Sequence, residues 1–89
     1  MKYRVFWSPE AELQLAGLLA VAGDQERLKA AVRQMDRSLI IDPFGFGESR
    51  ADSIRIGFAR PFAIQYDVLQ DVATVIVYDL WRIDGKRGA

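Results

Sequence analysis

Hydrophobic and polar positions change period twice along the chain. Between Lys2 and Trp7, the residues Tyr3, Val5 and Trp7 alternate with Lys2, Arg4 and Phe6. This aromatic, β-rich period of two predicts a first strand. Ser8-Pro9-Glu10 then opens a helix: Ser8 can cap it, Pro9 suits the first helical position, and Glu10 faces the positive dipole end. Ala11, Leu15, Leu18, Leu19 and Ala22 follow at helical spacing as one stripe. Gly23 is placed to end that helix and Asp24 to cap the next, whose apolar face is Leu28, Ala31, Val32, Met35 and Leu39. Two such stripes joined by a tight turn predict an antiparallel helical hairpin.

Asp42-Pro43 stops the second helix, because a residue preceding proline avoids helical backbone angles. Residues 43–50 read as a loop. The remainder has the period of strands. In Ser53–Arg60, Ile54, Ile56 and Phe58 alternate with Ser53, Arg55 and Gly57; in Phe62–Val68, Phe62, Ile64, Tyr66 and Val68 share one face. Val72–Trp81 is more continuously apolar, as a central or doubly covered strand would be. Arg60-Pro61 and Leu69-Gln70-Asp71 serve as hairpin connections. The predicted order is β-α-α-β-β-β over a single domain, residues 1–89. The fold class is α+β, a helical hairpin on one face of a twisted, mostly antiparallel sheet.

Composition narrows the chemistry. The 89 residues contain neither histidine nor cysteine. That removes Ser–His–Asp hydrolases, His-dependent nucleases, thiolate nucleophiles, disulfides and Cys- or His-based zinc sites. Twelve Lys and Arg balance twelve Asp and Glu. Such a chain is not built for indiscriminate nucleic-acid binding, which requires many neutralised phosphates. The apolar run Ala16–Ala22 is far short of the ~20 residues of a membrane span, and no apolar h-region follows the first charges. The expectation is a cytoplasmic protein with no membrane association and no cofactor.

Several features in order resemble the RelE/ParE superfamily of bacterial type II toxins, plasmid-stabilisation proteins among them. These are the first strand running into Ser8-Pro9-Glu10-Ala11, the helix ending near Leu39 before Asp42-Pro43, and a Gly-containing loop. The Arg55 strand, Arg60-Pro61-Phe62 leading to Ile64-Gln65-Tyr66-Asp67-Val68, and a last strand closing on Trp81-Arg82 complete them. The similarity spans about residues 2–84. It implies a growth-inhibiting toxin held inactive by a cognate antitoxin, with gyrase, or the ribosome and its mRNA, as the targets of the family's branches. In the endonuclease branch, basic residues on the sheet stabilise the phosphoryl transition state beside a proton-transfer group near the C-terminus. Arg55 and Arg82 match two such bases. Gly57 and Ala63 stand where others are expected, and no Tyr or His follows Arg82. The endonuclease pattern is therefore incomplete, whereas the gyrase branch does not depend on it.

The candidate target-binding residues are Arg55, Arg60, Arg82, Lys86 and Arg87. Each has a plainer alternative: Arg55 paired with Asp67 or Gln65 across the hairpin, Arg60 solubilising a turn, the others a charged tail. Lys29, Arg33 and Arg37 make a row at helical spacing that reads as a solvated face, and Tyr66 reads as core with its hydroxyl near the rim. Asp67 and Asp79 on neighbouring strands are too few for an oxygen-ligand metal site. Whichever of Trp7 and Trp81 is exposed would anchor a partner. An open sheet edge also permits a homodimer. The second functional reading is a non-toxic module that keeps the fold for binding.

Overall fold

Residues 2–83 are described by the computed structural model. They form β1 (Arg4–Trp7), α1 (Pro9–Val21), α2 (Gln25–Ile41), α3 (Pro43–Phe46), β2 (Gly47–Ala51), β3 (Ile54–Ala59), β4 (Phe62–Leu69) and β5 (Thr74–Arg82). The sheet order is β1-β5-β4-β3-β2; β1 pairs with β5 in parallel and every other pair is antiparallel. The architecture is α+β, as the periodicity predicts. Leu28, Met35 and Leu39 of α2 meet Phe62, Ile64 and Tyr66 of β4 and Val75 and Val77 of β5 in a core closed to solvent. All these side chains lie on one face of the sheet, beneath the helices.

Ser8 caps α1 as its position predicts, its Oγ accepting the Ala11 N–H at 3.1 Å. The turn into α2 departs from expectation. Asp24 makes no cap hydrogen bond, because its carboxylate is taken by Arg27 and Arg82. The helix closes at Ala22, whose N–H donates to the Leu19 carbonyl, and Gly23 is not left-handed. Leu13 and Val21, 73% and 84% exposed, give α1 further apolar surface that no other element covers among the described residues.

Residues 43–50 are not a loop. Asp42 caps α3 by accepting the Gly45 N–H at 3.0 Å, and β2 pairs with β3 as the outer strand. β2 reads Gly-Glu-Ser-Arg-Ala, with four of its five residues exposed and a bulge between Ser49 and Ala51. An edge strand with no face to bury carries no alternation of period two, so the pattern could not announce it. The β4–β5 connection also differs. A 3-10 turn spans Gln70–Val72, and Ala73 takes a left-handed conformation (φ 49°, ψ 51°) before β5 begins at Thr74.

β1 reaches only Val77 of β5, after which the chain turns into α1. α1 shields the rest of that edge. Gln14 accepts the Leu80 N–H at 2.9 Å with Oε1 and donates from Nε2 to Asp79 at 2.7 Å. Its carboxamide thereby meets an edge amide as the next strand's peptide group would.

Candidate functional site

The β3–β4 hairpin determines where the candidate residues point. Ala59 pairs with Phe62 across the cis Arg60–Pro61 turn, so Gly57 faces Ile64 and Arg55 faces Tyr66. Directly opposed residues of an antiparallel pair share a face. Arg55, Gly57 and Ala59 therefore point towards the helices. Ile54, Ile56 and Phe58 point away, opposite Asp67, Gln65 and Ala63. The apolar triplet of β3 is thus on the face that no helix covers among the described residues, the helix-free face.

Arg55 does not pair with Asp67 or Gln65. Its Nη2 donates to the carbonyls of Phe44 and Gly47, each at 2.8 Å, and the guanidinium stacks 5.4 Å from the centroid of the Phe44 ring. Tyr66 is fully buried, not at the rim, and its hydroxyl donates to the Pro43 carbonyl at 2.6 Å. Together they fasten α3 and the start of β2 onto the sheet. Burial pushes the Tyr66 hydroxyl pKa above its ordinary value, outweighing the nearby Arg55 guanidinium, which pulls it down.

Arg82 sits on the same side of the sheet, opposite Phe62. It forms a two-pronged contact with Asp24 (3.0 and 3.4 Å), tying the end of β5 to the α1–α2 turn. Hydrogen bonds from Arg82, then Arg27, hold the Asp24 carboxyl below the usual carboxylate range. Arg60 is exposed at the hairpin tip. Lys86 and Arg87 lie outside the described residues. Arg55 and Arg82 are four residues apart along the strands and two strands apart across them, about 16 Å between backbones. They do not converge on one phosphate. Among the described residues, no three His, Cys, Asp or Glu cluster to hold a metal ion, and Asp67 and Asp79 are not cross-strand partners.

The helix-free face is apolar and partly uncovered. Phe58, Ala63 and Trp81 form one row, with Phe58 53% and Trp81 38% exposed on either side of a buried Ala63. Phe6, Ile76, Asp67 and Ile54 form another across four strands. On the helix side, Trp7 packs against the core and donates from Nε1 to Asp36 at 3.2 Å. It floors an apolar groove of about 340 Å³ between α1 and α2, walled by Leu15, Leu19 and Val32, with Glu12 and Asp36 as its acids. A wider cleft of about 470 Å³ lies between α2, α3 and Phe58. Lys29, Arg33 and Arg37 are exposed on α2, as their spacing predicts.

Solved structures with this arrangement decide the fold. The chain is similar to the Mycobacterium tuberculosis RelBE2 toxin–antitoxin complex (TM-score 0.78, 16% identity), covering 92% of this chain and 99% of that one. It is similar to the archaeal RelE–RelB complex of Pyrococcus horikoshii (0.68, 13%, 97% and 100%). It is also similar to the chromosomal ParDE system of P. aeruginosa (0.67, 15%, 93% and 98%). The fold is that of the RelE/ParE toxins. No protein-family model and no curated protein sequence matches the chain.

Within the RelE/ParE fold, this chain has no room for the bases absent from its sequence. A Cβ at Gly57 would enter the Phe46 ring, which lies flat over that position. Ala63 is sealed between Phe58 and Trp81. The surface offered instead is largely aromatic and aliphatic, with Asp67 set between Ile54 and Ile76. The assignment of faces was open to reading: a two-residue connection at Arg60-Pro61 places Ile54, Ile56 and Phe58 opposite Asp67, Gln65 and Ala63, away from the richer apolar face of β4.

Proposed function

We propose that the protein is the toxin of a type II toxin–antitoxin pair. It inhibits growth by binding a target in replication or translation, gyrase or the ribosome being the two classes considered, and a cognate antitoxin neutralises it in the cytoplasm. The observation that carries this reading is the end-to-end likeness to toxin–antitoxin structures, with at least 92% of this chain and 98% of each compared chain superposed. Uncovered apolar surface on α1, on the α1–α2 groove and on the helix-free sheet face supports a partner that wraps the toxin. Target contact rather than RNA cleavage fits the site, because Arg55 and Arg82 are held in internal contacts. Of the described candidates, Arg60 is the one most open to a target, with Lys86 and Arg87 as further contacts. Those same internal contacts favour a second reading, a RelE/ParE-fold binding module without toxicity.

Viable count after tightly controlled induction in a bacterial host separates the two. Arrest by the parent, reduced by Arg60→Ala and relieved by co-expressing the short protein encoded in the adjacent frame, is expected of a toxin. Normal growth with abundant folded protein would overturn the toxin reading in favour of the module.

A further inference from the structure

The charge pattern of the helix-free face indicates what it receives. Arg55 and Arg82 both point to the opposite side. Among the described residues, the cations of this face stand at its margins: Arg4 over the Phe6 ring on β1, Arg50 paired with Glu48 on β2, and Arg60 at the hairpin tip. Near its centre stands Asp67, whose cross-strand neighbours are Ile54 and Ile76. Asp67 is half-buried; its Oδ1 is buried and has no hydrogen-bond partner among the described residues, and no described cation pairs with it. Covering the face would bury the rest of this carboxylate among aliphatic side chains, which is costly unless the covering partner brings a cation to it.

Three occupants can be compared on these grounds. A nucleic acid would bring phosphates against Asp67 and Asp79 with no central base to meet them. A second copy stacked face to face would set the same two acids against their own images. A polypeptide that is apolar but carries one cation satisfies both the acid and the exposed rings.

We propose that this face binds a partner's polypeptide segment through one lysine or arginine that pairs with Asp67, while large apolar side chains of the segment pack on Phe58 and Trp81 around Ala63. The proposal rests on the toxin–antitoxin reading in taking the segment to belong to the neutralising partner. Geometry sets the spacing. Ala63 and Asp67 are four residues apart on β4, about 13 Å. The cation and the apolar anchor therefore stand about four residues apart in an extended segment, or about nine in a helix.

The test uses the full chain and a random 16-residue peptide display library, followed by fluorescence anisotropy of the enriched peptides. Enrichment of a basic position at one of these spacings is expected. Asp67→Asn should weaken binding at least tenfold with no loss of thermal stability. Asp67→Lys should abolish it, and a peptide with its basic residue changed to glutamate should recover binding to that variant. Trp81→Ala should weaken binding without changing the basic preference. Failure to enrich any peptide, enrichment without a basic position, or equal affinity for parent and Asp67→Asn would each overturn the proposal. If any of those results accompanies growth arrest, the toxin reading survives. The expected binding pattern without arrest would instead remove the antitoxin as the segment's source.

Discussion

Replacing Tyr66 by phenylalanine removes one oxygen from the most enclosed part of the site. The ring stays in its slot, so the core loses no volume. The loss is the 2.6 Å hydrogen bond to the Pro43 carbonyl. Its surroundings leave little space for water: a Cβ on Gly47 would lie 2.6 Å from this hydroxyl and 2.5 Å from the Ile56 carbonyl. An ordinary hydrogen bond contributes about 1 kcal/mol net, and a buried carbonyl stranded without a donor adds a desolvation cost of about 1–3 kcal/mol. Together these predict a destabilisation of about 2–4 kcal/mol, at least about 8 °C in Tm for a domain this size. Urea unfolding followed by far-UV circular dichroism, with an unchanged m-value, measures it.

A pH series supplies the second arm. Because burial raises the folded pKa of Tyr66, the folded state keeps its proton where an unfolded tyrosine, near pH 10, releases it. The stability Tyr66 contributes is whole below pH ~10 and is lost as pH rises towards the folded pKa, by up to about 1.4 kcal/mol per unit. The gap between parent and Tyr66→Phe should therefore narrow above pH 10. A loss under about 0.5 kcal/mol at neutral pH, or a gap that widens in alkali, would refute the assigned role of the hydroxyl.

Three further outcomes follow from particular contacts. Gly57→Ala must displace the Phe46 ring and is expected to cost about 1–3 kcal/mol in urea melts, with near-ultraviolet dichroism reporting the altered aromatic packing. Ala73→Gly relieves a left-handed residue and should stabilise by about 0.5 kcal/mol, the strain removed exceeding the added chain entropy; a loss in melting temperature would contradict this. Asp24→Asn deletes a carboxylate whose pKa is lowered by Arg82 and Arg27. The parent should therefore show stability that is present above pH ~4 and lost on acidification through that lowered pKa, and the variant should lack this component in acid unfolding curves.

Much of the fold was legible because burial writes a period into the chain. The Ser8 cap, the Leu28–Leu39 stripe and the Phe62–Val68 alternation each predicted an element that is present. β2 was hidden because Glu48, Ser49 and Arg50 bury nothing. The contacts of Arg55 were hidden for a different reason. A half-buried arginine facing a tyrosine looks, in sequence, like an exposed arginine between two isoleucines, and only strand register separates the two. Tyr66 was recognised as core, but the acceptor of its hydroxyl lies 23 positions away in a segment read as loop. Such long-range polar contacts leave no local signature. Asp24 shows the same limit: placed as a helix cap, it is drawn instead to Arg82 at the far end of the sheet.

The parallel pairing of β1 with β5 has a consequence for synthesis. Among the described strands the one made first is completed by the one made last, and β5 is hydrogen-bonded on both sides, to β1 and to β4. While β5 is still inside the ribosomal exit tunnel, β1 and β4 have no neighbour between them. The nascent chain then has a lone β1, a three-stranded β4-β3-β2 piece and a helical hairpin without its full floor. The sheet cannot close until β5 emerges, so any surface that needs the closed sheet arises late in translation.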